Sequence, residues 1–191
     1  ECMKHYLLSM LLFFTLISNA QVQRTFYGVP FGASIEQAKT LLSKQGVRFS
    51  QGDNGYGIKN DSVINIYSVR IGNHSVDKAV MNFSKDGFYN IRFQKEFDYP
   101  YLSKGDDFFD SLHRDLSRKY SILDKHKIDK GYLTNTILIY GLKSDKRTRI
   151  MLQFMRTPSL KSGYLSLDYY ENSQDMESYK RLFIGESNNE L

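Results

Sequence analysis

A chain of 191 residues with 26 Lys and Arg against 21 Asp and Glu carries a formal charge of +5. Solubility alone accounts for that excess, so composition argues against the strongly basic face of a nucleic-acid binder. Fourteen Tyr and 13 Phe with only three Pro, and no low-complexity linker, exclude a disordered chain and predict one compact, aromatic-rich unit.

The first segment reads as a secretory signal peptide. Met3 is followed by basic Lys4 and His5, an apolar run over residues 6–17, and Ser18-Asn19-Ala20 as small-residue cleavage positions. The run is too short to span a bilayer as a helix, which takes about 20 residues. Cleavage after Ala20 is expected, leaving residues 21–191 in the periplasm or outside the cell. Glu1 and Cys2 precede Met3 and are set aside as an upstream remnant. Cys2 is the single cysteine, so the exported part is expected to have no disulfide and no lipid on cysteine. An ordinary core must then hold it together, a pattern that leans toward a bacterial envelope.

From Gly32 onward the pattern is helix, then strands. Ser34 with Gln37 three residues on forms a capping box, Ile35, Ala38, Leu41 and Leu42 share a face, and Gly46 ends the helix. A Gly-rich loop is expected over residues 51–61. Strand alternation follows at Tyr67, Val69 and Ile71, then at Ala79, Met81 and Phe83, then at Tyr89, Ile91 and Phe93, with Ser84-Lys85-Asp86-Gly87 as a hairpin turn. Phe108, Leu112, Leu116 and Tyr120, with Phe109 beside them, mark a second amphipathic helix starting near residues 104–106. Strands are expected near residues 136–142, 149–155 and 164–169. Val69 with Ile139, Met81 with Leu152 and Ile91 with Leu167 correspond at an offset of about 70 to 76 residues.

These elements predict an α+β fold: a two-layer domain with an antiparallel sheet covered by helices, built from a duplicated α-β-β-β unit. The halves are expected at about 28–97 and 103–170, with a terminal helix at about 174–183 docked by Met176, Tyr179 and Phe183.

The phrase from Val29-Pro30-Phe31-Gly32-Ala33-Ser34 to Lys39 resembles the helix opening of small bacterial envelope proteins with tandem helix-plus-sheet units. The β-lactamase-inhibitor-protein-like fold and the outer-membrane assembly lipoproteins of the SmpA/OmlA type share that style. Phe108-Phe109-Asp110-Ser111-Leu112 through Tyr120 is similar to the second helix of secreted proteins from gut Bacteroidetes. The resemblance implies a style of fold and a bias toward binding. It implies no functional residue, because the lipid-attachment cysteine, the disulfide cysteines and the tryptophans of those families are missing.

Candidate chemistry is sparse. His74 is expected in a solvated turn and His113 at the edge of the core as a hydrogen-bonder. Asp124-x-His126-x-x-Asp129 matches no metal signature, and the glycines from Gly52 to Gly57 lack the strand, helix and Lys-Ser/Thr pair of a phosphate loop. No Gly-x-Ser-x-Gly elbow occurs, and Asp106-Asp107 reads as helix-start charge. Neither a cofactor nor a metal is predicted. One charged cluster carries a functional reading: Lys143, Lys146, Arg147 and Arg149 around one hairpin turn, with Arg156 and Lys161 near the next. Close together they would form a basic rim for an anionic glycan, lipid headgroups or an acidic face of an envelope protein; the competing and simpler reading is that Lys and Arg solvate the hairpin tips. Tyr99-Pro100-Tyr101 and Tyr169-Tyr170 would add contact area. The expectation is an exported, non-catalytic binding or envelope-associated protein; the alternative is a small secreted hydrolase or ligand-processing enzyme whose site is not readable in the sequence, which a polar cleft around His113 or His126 would favour.

Overall fold

Backbone-to-side-chain hydrogen bonds at the first helix show how the chain commits itself locally. The Gln37 backbone N–H donates to Ser34 Oγ (3.2 Å), and the Ser34 N–H donates to Gln37 Oε1 (2.9 Å). This reciprocal cap starts α1 (Ile35–Lys44), which buries Ala38 and Leu42. Gly46, at φ +67°, turns the chain away after it. The computed structural model describes residues 22–53, 59–145, 147–157 and 161–171. The expected signal peptide and the expected helix at 174–183 lie outside the described residues.

Before α1, β1 (Thr25–Phe26) and β2 (Val29–Pro30) form a small antiparallel ribbon. After it come β3 (Phe49–Asp53), β4 (Lys59–Ile71), β5 (His74–Ser84) and β6 (Gly87–Asp98), then α2 (Leu102–Ser117). The chain continues through β7 (Ser121–Asp129), β8 (Thr134–Gly141), β9 (Arg149–Thr157) and β10 (Ser162–Tyr170). β3 to β10 make one antiparallel sheet in the order β3-β4-β5-β6-β10-β9-β8-β7. Two four-stranded meanders thus meet along β6 and β10, with Phe93 opposite Leu167.

Both helices lie on one face of this sheet. α2 packs on β9, β10 and β6: its Phe108 and Phe109 rings meet Phe97 and Phe154, and its Leu112 and Leu116 join the buried core that holds Phe93, Phe97, Phe154 and Leu167. Each fully buried Leu or Phe there contributes about 1.5–3 kcal/mol. The approach is close because Gly105 faces the Phe154 ring: a Cβ there would come within 2.5 Å of Cζ. On the far face Ile137, Ile139, Met151 and Tyr170 form a smaller buried cluster.

The α+β expectation is corrected here. Among the described residues the fold is mostly β: ten strands, eight of them in one sheet, and only two helices, of 10 and 16 residues. Each helix is followed by four strands, so the α-β-β-β unit does not stand either. Within the eight-stranded sheet the two strands missed are its edges, and the short β1–β2 ribbon is not expected either. β3, Phe-Ser-Gln-Gly-Asp, reads in sequence as the start of a Gly-rich loop, and β7, Ser-Ile-Leu-Asp-Lys-His-Lys-Ile-Asp, reads as a polar connection. An edge strand is solvated along one side, and β7 is at best half-buried throughout, so the apolar alternation that marks a strand is missing.

Two finer expectations also shift. Ser68, at φ +60°, breaks the alternation of β4, so Ile64 and Ile66 before it and Val69 and Ile71 after it all reach the helix-side core. Tyr67, expected beside Val69, is 44% exposed. Val69 and Ile139, paired by the sequence offset, belong to opposite faces, whereas Met81, Leu152, Ile91 and Leu167 share one core. The hairpin at Lys85-Asp86 forms as expected, with Gly87 at φ +103°.

Candidate functional site

Successive hairpins of a meander turn at alternate ends of the sheet. The β8–β9 turn, which carries Lys143 and Arg147, and the β9–β10 turn, which carries Lys161, are therefore separated by the length of β9, roughly 25–30 Å. The five expected cations among the described residues divide between two ends and form no single rim.

At the first end, Lys143 is exposed and Lys146 lies outside the described residues. Arg147 is engaged: its guanidinium pairs with Glu171 at 2.7 Å, and Glu171 also pairs with Arg24. Arg149 donates to the carbonyls of Asp145 (2.5 Å) and Thr148 (2.8 Å). The Asp145 carboxylate in turn accepts the backbone N–H groups of Arg147 (2.9 Å) and Thr148 (3.2 Å). Burial alone would raise its pKa, but these hydrogen bonds, the Thr148 hydroxyl and the Arg149 charge outweigh burial and hold it below the ordinary value. Arg147 and Arg149 thus build their turn.

The second end combines cations with aromatic rings. Tyr99 and Tyr101, on the loop between β6 and α2, are 67% and 54% exposed. Lys161 Nζ sits 5.1 Å from the Tyr99 ring centroid, and Lys104 Nζ 4.3 Å from that of Tyr101. The Tyr99 N–H donates to the Lys161 carbonyl (3.0 Å), which ties the loop to the β9–β10 turn. Arg156 stacks its guanidinium 5.2 Å from the Phe154 ring and pairs with Asp106. Tyr132, 62% exposed, opens at the same end in the β7–β8 turn, because Thr134 pairs with both Asp129 and Arg156. Tyr169 and Tyr170, expected as contact area, are buried instead: Tyr169 packs against Phe26 and Phe93, and burial raises its pKa.

A polar seam crosses the far face where the two meanders meet. Asp168, fully buried on β10, stands directly opposite Arg92 on β6, whose Nε donates to Oδ1 at 2.7 Å. Tyr170 OH (3.3 Å) and Asn90 Nδ2 (3.5 Å) also reach Oδ1, and Asn82 Nδ2 donates to Asn90 Oδ1 at 2.6 Å. Asp168 Oδ2 and Ser166 Oγ are buried without a hydrogen-bond partner among the described residues. In sequence these polar positions look like the solvated side of ordinary strands; no local signal distinguishes them. The seam fixes register, since a slip by one residue would carry Asp168 into the helix-side core.

The histidines serve neighbours. His74 begins β5 rather than a turn; its Nε2 lies 3.2 Å from Ser111 Oγ and its ring 4.8 Å from that of Phe108. His113 Nδ1 lies 2.6 Å from Tyr140 OH and 3.2 Å from Ser117 Oγ. Burial pushes the Tyr140 hydroxyl up to about 12. His126 bonds to Asp124 (2.9 Å), while Asp129 turns to cap the Gly131 N–H (3.2 Å). No group of three or more His, Cys, Asp or Glu is placed to hold a metal among the described residues. An open cleft of about 420 Å³ at the start of α1 is lined by Ser34, Gln37, Asp61, Lys85 and Asp86. No described helix is long and apolar enough to cross a membrane.

No protein-family model, curated protein or solved structure matches this chain.

Proposed function

We propose that this is an exported, non-catalytic binding protein whose contact surface is the aromatic–cationic end of the sheet, and that its ligand is an anionic glycan of the cell envelope. The signal-peptide pattern of residues 3–20 supports export. The observation that carries the binding reading is the pairing of exposed rings with ammonium groups, Lys161 on Tyr99 and Lys104 on Tyr101. A tyrosine offers a large, amphipathic surface at low entropic cost. A cation on its face is already positioned, so a sugar stacked on the ring meets a donor for its carboxylate or sulfate. Arg156 and Lys161 belong to this surface; Lys143 and Arg147 lie at the other end.

The test is binding of the purified protein to polygalacturonate, a neutral galactan and phosphatidylglycerol vesicles across a salt series. Tyr99→Ala with Tyr101→Ala should weaken polygalacturonate binding about tenfold, and Lys143→Gln with Arg147→Gln should leave it unchanged. Salt should weaken the wild-type signal, because a Debye length of about 8 Å at physiological strength screens exposed charge. Equal binding by all variants, or preference for the vesicles, would overturn the assignment.

A further inference from the structure

We propose that the outer edge of β7 is a docking edge for an extended acidic segment of a partner protein, which adds to the sheet as a ninth strand. The inference is independent of the aromatic–cationic end.

Among the described residues the sheet has two edge strands with one neighbour each, and they differ. β3 is only five residues long, and the shift in its pairing with β4 between Gln51 and Gly52 leaves no regular run longer than three residues, so it offers little straight edge. β7 is nine residues long and, among the described residues, pairs only with β8. From Asp124 to Asp129, beyond its register shift, one side of its backbone is unpaired with any described strand over roughly 20 Å, with the Lys125 N–H met by Asp124 Oδ1 at 2.8 Å, and the remaining N–H and C=O groups are a template for another strand.

Its side chains narrow the choice of partner. Among the described residues six large hydrophobic side chains are exposed; four are tyrosines, and the two aliphatic ones, Ile122 (47%) and Leu123 (41%), both belong to β7. Leu123 sits where the β7–β8 register shifts and leans over Gly141, where an added Cβ would come within 2.8 Å of its Cδ1. Farther along, Lys125 and Lys127 are exposed on the helix-side face, opposite Leu138 and Thr136 of β8. Lysines on an edge repel chance pairing, and the same lysines favour a strand with carboxylates opposite them, since cross-strand pairs of opposite charge stabilise and like pairs do the reverse.

A second copy of this chain meets like charges in each of the three central registers, which overlap β7 most. Antiparallel self-pairing centred on Asp124 sets Asp124 against Asp124; centred on Lys125 it sets Lys125 against Lys125; centred on His126 it sets Lys125 against Lys127. A foreign segment that alternates acidic and apolar residues, with its acidic face on the side of Lys125 and Lys127, avoids every one of these clashes.

The test uses a fluorescein-labelled peptide of alternating valine and glutamate, nine residues long, with the purified protein. One control alternates valine and lysine; another has the first peptide's composition with its glutamates clustered. The alternating glutamate peptide should bind saturably, slow deuterium exchange of amides in residues 121–129, and bind equally to Tyr99→Ala with Tyr101→Ala. Lys125→Glu with Lys127→Glu should weaken it at least tenfold and admit the lysine peptide. Should that variant melt early, Lys125→Gln with Lys127→Gln carries the comparison. Absence of binding, equal binding of the clustered peptide, binding without protection in β7, or a dimer in sedimentation that the glutamate variant dissolves would each overturn the proposal.

Discussion

Asp168 and Asp145 show two ways in which a carboxylate is held. Asp168 is fully buried, and its charge is met chiefly by Arg92 across the β6–β10 seam. Replacing Arg92 by Met leaves that charge uncompensated in the interior and should cost about 3 kcal/mol, read as a lower urea midpoint. Adding Asp168→Leu to the variant should recover most of the loss, because an apolar pair of similar volume carries no desolvation penalty. A single variant as stable as the parent would show that Asp168 draws its compensation elsewhere. Asp145 is a turn residue whose pKa is held below the ordinary 3.8 by the hydrogen bonds around it. A carboxylate depressed on folding stabilises above its unfolded pKa, and that stability is lost as pH falls through the folded value. Asp145→Asn should therefore cost about 1 kcal/mol at pH 7. The gap to wild type should hold down to about pH 4 and narrow below it. Urea midpoints across that range test the sign; a gap that widens in acid would refute it.

The helices were legible because their signals are local: the Ser34–Gln37 cap and the Phe108, Leu112, Leu116 spacing lie within one element. What the spacing does not display is how near the sheet α2 sits, which Gly105 decides. Helix propensity alone favours Ala over Gly by about 1 kcal/mol. Here the added methyl would drive into the buried Phe154 ring at 2.5 Å. Overpacking of that kind costs about 1–3 kcal/mol, so Gly105→Ala should lower stability on balance. A thermal melt with a raised midpoint would mean that Phe154 moves aside freely. Inner strands were legible for the same local reason, at Ala79, Met81 and Phe83 or Ile91 and Phe93, whereas β3 and β7 lack the pattern since water takes one of their sides.

At the scale of the whole molecule, neither the division of the basic residues nor the Asp168–Arg92 seam could be read, because both depend on which strands become neighbours. Lys143 and Lys161 are 18 positions apart in sequence yet point to opposite ends, whereas Tyr99 and Lys161 are joined by a pairing across 62 positions. The strand order also implies how the molecule opens. β6 and β10 are each flanked on both sides and lie at the centre of a single sheet, while among the described residues β3 and β7 have one neighbour each. Opening a strand costs the contacts and hydrogen bonds it shares, so local unfolding should begin at the edges and reach the seam only with global unfolding. Native-state hydrogen exchange should rank β7 and β3 fastest and amides near Ile91, Phe93 and Leu167 slowest. Because the seam belongs to both meanders, Leu167→Ala should destabilise by about 2–5 kcal/mol and lower the slowest exchange protection in both meanders by the same amount. If protection fell in β7–β10 alone, with β4 and β5 unchanged, the two meanders would be separate folding units that merely touch at β6 and β10.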